Sequence, residues 1–291
     1  MFGVLIITFA VTRLTPGDPA EIMAGLEASP EAIESIRIDL GLDKPVLTQF
    51  GIYVNDVFHG DLGQSFYVGR DVTELISDAL PRTARLALVA LAFTAIIGIP
   101  TGVMSAIRKD TWLDGAARST ALVGVSIPPF FAGLLAILVF SYYVRLFPSF
   151  GSGTWKHLVL PGFTLGLFST GLVMRLTRSA MLEVLNEDYL RTARAKGLSE
   201  RATIYGHALR NAAVPVVTIM GLQLGGLLAG TVLTETVFSY PGIGRLLARS
   251  IFERDYPVVQ GLILLIAMIY IVVNLLVDIV YSLIDPRIRY E

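Results

Sequence analysis

LALVALAFTAIIGIPTGVMSAI, residues 86–107, runs for 22 positions without Asp, Glu, Lys or Arg. At 1.5 Å per helical residue such a run reaches about 33 Å, enough to cross a hydrocarbon core of roughly 30 Å. Four more uncharged runs follow at 119–144, 158–174, 211–234 and 258–277, and the five span 17 to 26 residues each. The whole 291-residue chain is 54% apolar and 16% charged, with a mean hydropathy of +0.65, which does not fit a water-soluble surface. The reading is an all-α membrane protein. A formal charge of −1 speaks against a nucleic-acid partner, and the composition is that of neither a disordered chain nor a disulfide scaffold.

Several chemistries are excluded. With no cysteine there is no disulfide, thiolate metal site or cysteine nucleophile. His59, His157 and His207 lie far apart without ligand spacing, so no metal site is expected. No lysine follows a glycine, which removes the Walker A loop, and GxSxG and HExxH are absent. No catalytic residue and no cofactor is assigned to this chain.

Residues 1–14 are apolar but reach only about 21 Å as a helix before Pro16, Gly17, Asp18 and Pro19. They read as the second half of a truncated first transmembrane helix. Residues 15–81 have the composition of a polar helical insert, with twelve acidic residues against three basic ones. Ser29, Pro30 and Glu31 mark a helix start, and Gly41 its end. A second amphipathic stretch from Pro45 places Leu47, Phe50, Tyr53, Val54, Val57 and Phe58 at helical spacing before Gly60. A third, Asp71 to Leu80, leads through Pro81 into the first complete span.

Basic residues orient the spans. If the chain begins inside, the short interior segments 108–118, 175–210 and 285–291 hold twelve Lys and Arg in 54 residues, against five in 36 for the exterior loops 145–157 and 235–257. This bias places the insert outside, the tail 285–291 in the cytoplasm, and six spans in the membrane, the first incomplete. Within the spans, Gly98 and Gly102, Gly162 and Gly166, and Gly221, Gly225 and Ala229 repeat at four-residue spacing, which lets another helix backbone approach closely. Pro100, Pro128 and Pro129 are expected to bend or interrupt their helices.

Residues 183–210 are too polar for lipid. In the segment YLRTARAKGL, 189–198, Ala193 and Gly197 are small residues four apart, so a helix through both would present them on one face, able to enter a groove on another protein. A charge run is usually just a solvated surface, and composition alone favours that reading over docking.

YLRTARAKGLS at 189–199, followed by HALRNAAVPV at 207–216, resembles the cytoplasmic coupling segment of permease subunits of bacterial ABC importers, in the dipeptide, oligopeptide and nickel permease family. The general family pattern is Glu-Ala-Ala, three residues, then Gly; Arg191 and Thr192 replace its first two positions, while Ala193 and Gly197 match. RLTPGDP at 13–19, HGDLGQSF at 59–66, FSYPGIGRLL at 238–247 and DPRIRY at 285–290 carry the resemblance along nearly the whole chain.

The resemblance implies an ABC type I permease domain over 82–284. It also implies a second homologous permease subunit, two cytoplasmic ATPase subunits that bind ATP and Mg, and an extracytoplasmic substrate-binding protein. Arg191, Thr192, Ala193, Ala195, Lys196, Gly197 and Leu198 are then the ATPase-coupling residues. Transport of di- or oligopeptides across the bacterial inner membrane is the implied function, with nickel as an alternative cargo and a secondary transporter as the alternative mechanism. Ser126, Gln223, Thr231, Thr234 and Asn274 are polar residues inside spans. They are candidates for lining the path or for bonding helix to helix.

Overall fold

A computed structural model describes residues 2–14, 18–25, 28–229 and 231–284. Of the stretches singled out above, the tail 285–291 and parts of 13–19 lie outside them. The described residues are helical and contain no strand, only an isolated bridge between Gln64 and Asp71. In chain order the helices are α1 (Phe2–Leu14), α2 (Pro19–Ala24), α3 (Pro30–Asp39), α4 (Val46–Phe58), α5 (Val72–Phe93), α6 (Ile99–Ile107), α7 (Trp112–Ser126) and α8 (Pro129–Ala136). There follow α9 (Lys156–Leu185), α10 (Asp188–Ala195), α11 (Leu209–Ala229), α12 (Thr231–Val237), α13 (Ile243–Glu253) and α14 (Tyr256–Ile284). π-Helical stretches at Thr94–Gly98, Ile137–Tyr143 and Ala202–Ala208 join α5 to α6, extend α8 and precede α11.

Among the described residues four segments are long and apolar enough to cross a membrane: Val72–Ile107, Lys156–Leu185, Ala202–Leu228 and Tyr256–Val277. A fifth, α7 with α8 and its π extension, is bent by 105°. The break falls at Ile127–Pro128, where extended backbone precedes the proline pair expected to interrupt the helix. Pro100 behaves otherwise. It occupies the first turn of α6 directly after a π stretch, which absorbs the missing donor, and the span stays continuous. Pro81 likewise lies inside α5, so the insert's third stretch and the first complete span are one helix.

The chain divides into two compact units. Residues Met1–Thr83 and Pro241–Ile269 form one. There the caps expected of the insert are present: Ser29 accepts from the Ala32 amide at 3.3 Å ahead of Pro30, and Gly41 (φ +64°) closes α3. Asp18 caps α2 through the Ala20 amide and is paired with Arg37. Phe50 and Tyr53 of α4 pack on Phe9 of α1, with Tyr53 hydroxyl 2.9 Å from Thr8 Oγ1. Leu47 and Phe58, expected on the same apolar face, are instead exposed at 86% and 79%, because α4 meets α1 along a narrower strip. The HGDLGQSF stretch is a lock. Ser65 Oγ donates to the buried Asp255 carboxylate at 2.5 Å, the Phe66 amide donates to its other oxygen at 3.1 Å, and Asp61 accepts from the Gly63 amide. In FSYPGIGRLL, the Ile243 amide donates to the buried Thr83 hydroxyl at 2.9 Å and Ile243 fills a core with Val72, Ile76, Val258 and Leu262.

The second unit is Ala84–Tyr240 with Tyr270–Glu291. Its centre is α9, whose glycines meet α5 and α6. A Cβ on Gly166 would stand 2.6 Å from the Ala90 carbonyl oxygen, and one on Gly102 would stand 2.6 Å from that of Met174. Gly162 faces Val89 and Gly98 faces Thr170, so contacts advance along both helices in the same sense and the two run parallel. In lipid, where no hydrophobic force separates helix from solvent, such close backbone packing is what holds spans together. Gly221 and Gly225 face the side chains of Val277 and Val273 of α14. Leu122, Leu134, Leu138 and Leu275 remain exposed on the unit, as residues covered by lipid or a partner do. Trp112 and Trp155 stand at helix starts, where amphipathic rings favour the membrane interface.

Candidate functional site

Between α9 and the helix that begins at Glu200 the chain makes one short excursion. α9 stops at Leu185, Glu187 is extended, and α10 runs for eight residues, Asp188–Ala195. Leu190 is its sole fully buried side chain and seats the helix among Val103 and Ala106 of α6, Ala180 and Met181 of α9, and Ala208 and Ala212. Tyr189 hydroxyl adds an acceptor for Asn211 Nδ2 at 2.6 Å. Apart from half-buried Ala193, the rest of α10 is exposed. Arg191 pairs with Asp188 at 3.2 Å and Arg194 with Glu200 at 2.7 Å, both pairs exposed and so worth little to stability. Thr192, Ala195 and Lys196 are exposed, and Ala193 and Leu198 half-buried.

The shared helix face expected of Ala193 and Gly197 is not formed. The helix ends at Ala195, and Gly197 sits beyond the cap residue Lys196 with φ +84°, a left-handed conformation open to glycine and costly for other side chains. The Gly197 amide donates to the Arg194 carbonyl at 2.9 Å and the Leu198 amide to that of Ala193 at 3.3 Å, the two bonds of a Schellman cap. Glycine is therefore favoured here to turn the chain. Four-residue spacing alone cannot distinguish this from a small residue on a helix surface. Ser199 then accepts from the Ala202 amide at 3.3 Å, and the polar residues from Glu200 onward continue as helix into the apolar stretch that follows. The segment 200–210, read from its charge as outside the membrane, and the apolar run after it are one continuous helix.

The seating residue Leu190 was not distinguished in the sequence, although it is the one large aliphatic side chain between Asp188 and Gly197. The tie from Tyr189 to Asn211 spans 22 residues and has no local signal. The polar residues inside spans are not brought together. Ser126 is exposed and its Oγ donates to the carbonyl of Leu122 at 2.8 Å; Gln223 donates to Ser169 Oγ at 3.0 Å, a helix-to-helix bond. Thr231 and Thr234 are buried in the chain's own interior at 0% and 1% exposure, and Asn274 is half-buried. Among the described residues no group of three or more His, Asp or Glu is placed to hold a metal ion.

Residues 98–290 match the family described as binding-protein-dependent transport system inner membrane component, and residues 1–87 match its N-terminal membrane component. The chain belongs to this family. It is accordingly a multi-pass inner-membrane transport component and not an enzyme. It is 42% identical to the dipeptide transport system permease protein DppB of Alkalihalophilus pseudofirmus, covering 100% of this chain and 96% of that one. It is 43% identical to the glutathione transport system permease protein GsiC of Pectobacterium atrosepticum, covering 99% and 94%. Among solved structures, the inward-facing MetNI methionine ABC transporter aligns over 73% of this chain and 97% of its own with a TM-score of 0.62 at 17% identity. At that identity the likeness speaks to fold, and the fold is that of an ABC importer permease. A family defined by dependence on a binding protein sets aside the secondary transporter.

Proposed function

We propose that this chain lines one half of the path by which an ABC importer takes up di- or oligopeptides, and that Arg191–Leu198 is where a separate ATPase subunit pushes on it. The observation that carries the reading is α10: a short, outward-polar helix between two long spans, seated by Leu190 on the ends of α6, α9 and α11 and closed by Gly197. Closure of a pair of ATPases on ATP and Mg would displace α10, and with it the ends of both flanking spans. A second homologous permease supplies the other half of the path, and an external binding protein delivers cargo. The full-length relatives carry dipeptide and glutathione in their names, which favours peptide over nickel as cargo. Ser126, exposed at the break of the bent span, and Asn274 are the surface positions best suited to face the path; Gln223, Thr231 and Thr234 serve packing inside the chain.

The test is uptake by the complete assembly in proteoliposomes. Radiolabelled di- and oligopeptides should accumulate only with internal ATP and loaded binding protein, and nickel should not. Nickel uptake without peptide uptake would reverse the substrate assignment.

A further inference from the structure

Asp114 is a carboxylate with no exposed surface, in the first turn of α7, on a segment the coupling reading leaves unused. Its oxygens are fully engaged. Arg178 of α9 donates through Nε to Oδ1 and through Nη2 to Oδ2, each at 2.8 Å; Ser105 of α6 donates to Oδ1 at 2.5 Å, and the Asp110 amide to Oδ2 at 3.0 Å. Arg118, half-exposed on the next turn of α7, stands 3.5 Å away. A buried ion pair contributes little to net stability compared with an apolar core, but the two-point grip of a guanidinium on a carboxylate fixes orientation as well as distance. Here it fixes α7 against α9.

Arg178 lies two and three residues before Ala180 and Met181, the residues of α9 on which Leu190 of α10 is seated. α6 contributes to both sites, Ser105 to the carboxylate and Val103 with Ala106 to the apolar seat. A continuous set of contacts therefore runs from α10 through Leu190 and the last turns of α9 to Arg178, Asp114 and α7, which leads to the bent span at Ile127–Pro128.

Resting on the coupling reading above, we propose that Asp114 and Arg178 are positioning residues that hand the displacement of α10 to the bent span α7–α8. Without the grip, α10 and α9 still answer the ATPase, but α7 no longer follows. ATP is then hydrolysed without cargo movement.

The experiment uses the complete assembly in proteoliposomes and reads binding-protein-stimulated ATP hydrolysis and labelled dipeptide uptake side by side. Asp114→Asn keeps size and one acceptor but removes the charge that Arg178 grips. Uptake per ATP hydrolysed should fall on the order of 10-fold, with hydrolysis retained. An unchanged ratio overturns the proposal, and so does a parallel loss of hydrolysis and uptake. Should Asp114→Asn not accumulate in the membrane, Arg178→Lys, which keeps the cation and its aliphatic stem but loses the fork, is read by the same criteria. If the wild-type assembly accumulates nickel instead of peptide, the substrate assignment fails and the same ratio is read with nickel, so the two failures stay apart.

Discussion

Gly197→Val is expected to abolish uptake and binding-protein-stimulated ATP hydrolysis together, while the protein still inserts in the membrane. The residue holds φ +84°, and a Cβ there would meet nothing within 4 Å, so the chain itself has room for a side chain. The cost is in the backbone: a left-handed residue costs about 1–2 kcal/mol outside glycine, and a β-branched one more. That strain is relieved by opening the two cap bonds from Gly197 and Leu198, which re-aims the exit from α10 toward Ser199. Gly197→Asn separates backbone from space, because asparagine tolerates the left-handed region. If uptake survives in Asn and fails in Val, the turn is what matters. If both fail, the open space around Gly197 is occupied by the partner. Wild-type uptake in the Val variant would remove the coupling role from this turn.

Gly166→Leu and Gly102→Leu should each prevent stable accumulation of the protein. Their first added carbon would already lie 2.6 Å from a carbonyl oxygen of the facing helix, and neither backbone can step aside without parting α9 from α5 and α6. Overpacking of this kind costs about 1–3 kcal/mol for modest insertions, and a leucine at backbone contact exceeds that range. Gly226→Leu is the control, since nothing lies within 4 Å of a Cβ at that position. Membrane levels measured by immunoblot should be near wild type for Gly226→Leu and strongly reduced for the other two. Equal levels in all three would mean that the glycine contacts do not hold the spans together.

The glycine pairs were legible in the sequence because small residues four apart have one physical meaning in a lipid-exposed helix, and the pairs at 98 and 102 and at 162 and 166 do lie along one helix crossing. The caps at Ser29 and Gly41 were legible because capping is local. Pro128 and Pro129 announced an interruption, but its angle depends on what α8 packs against, including Phe238 over Gly133. That the helix already begins at Glu200 was not legible, because charge marks where lipid ends and not where a helix does. The site was legible as a segment and not as a geometry. Ala193 and Gly197 have the same spacing whether they share a helix face or flank its end, and only φ at Gly197 decides. The grip of Arg178 on Asp114 and the bond from Ser65 to Asp255, 64 and 190 residues apart, leave no local trace, since nothing near either carboxylate names its partner.

Contact between α10 and an ATPase is the centre of this account, and the absence of native cysteine allows it to be measured without background. Ala195→Cys places a thiol on the exposed end of α10, Ser199→Cys one just beyond Gly197, and Ser29→Cys one in the acidic insert. In the assembled transporter, a bifunctional thiol reagent should join the chain carrying Ala195→Cys to an ATPase subunit, and ATP should change the yield. Ser29→Cys should react with a membrane-impermeant reagent in intact cells, and Ser199→Cys only after the membrane is opened. Labelling of Ser199→Cys from outside with Ser29→Cys protected, or ATPase cross-links from Ser29→Cys and none from Ala195→Cys, would contradict the account.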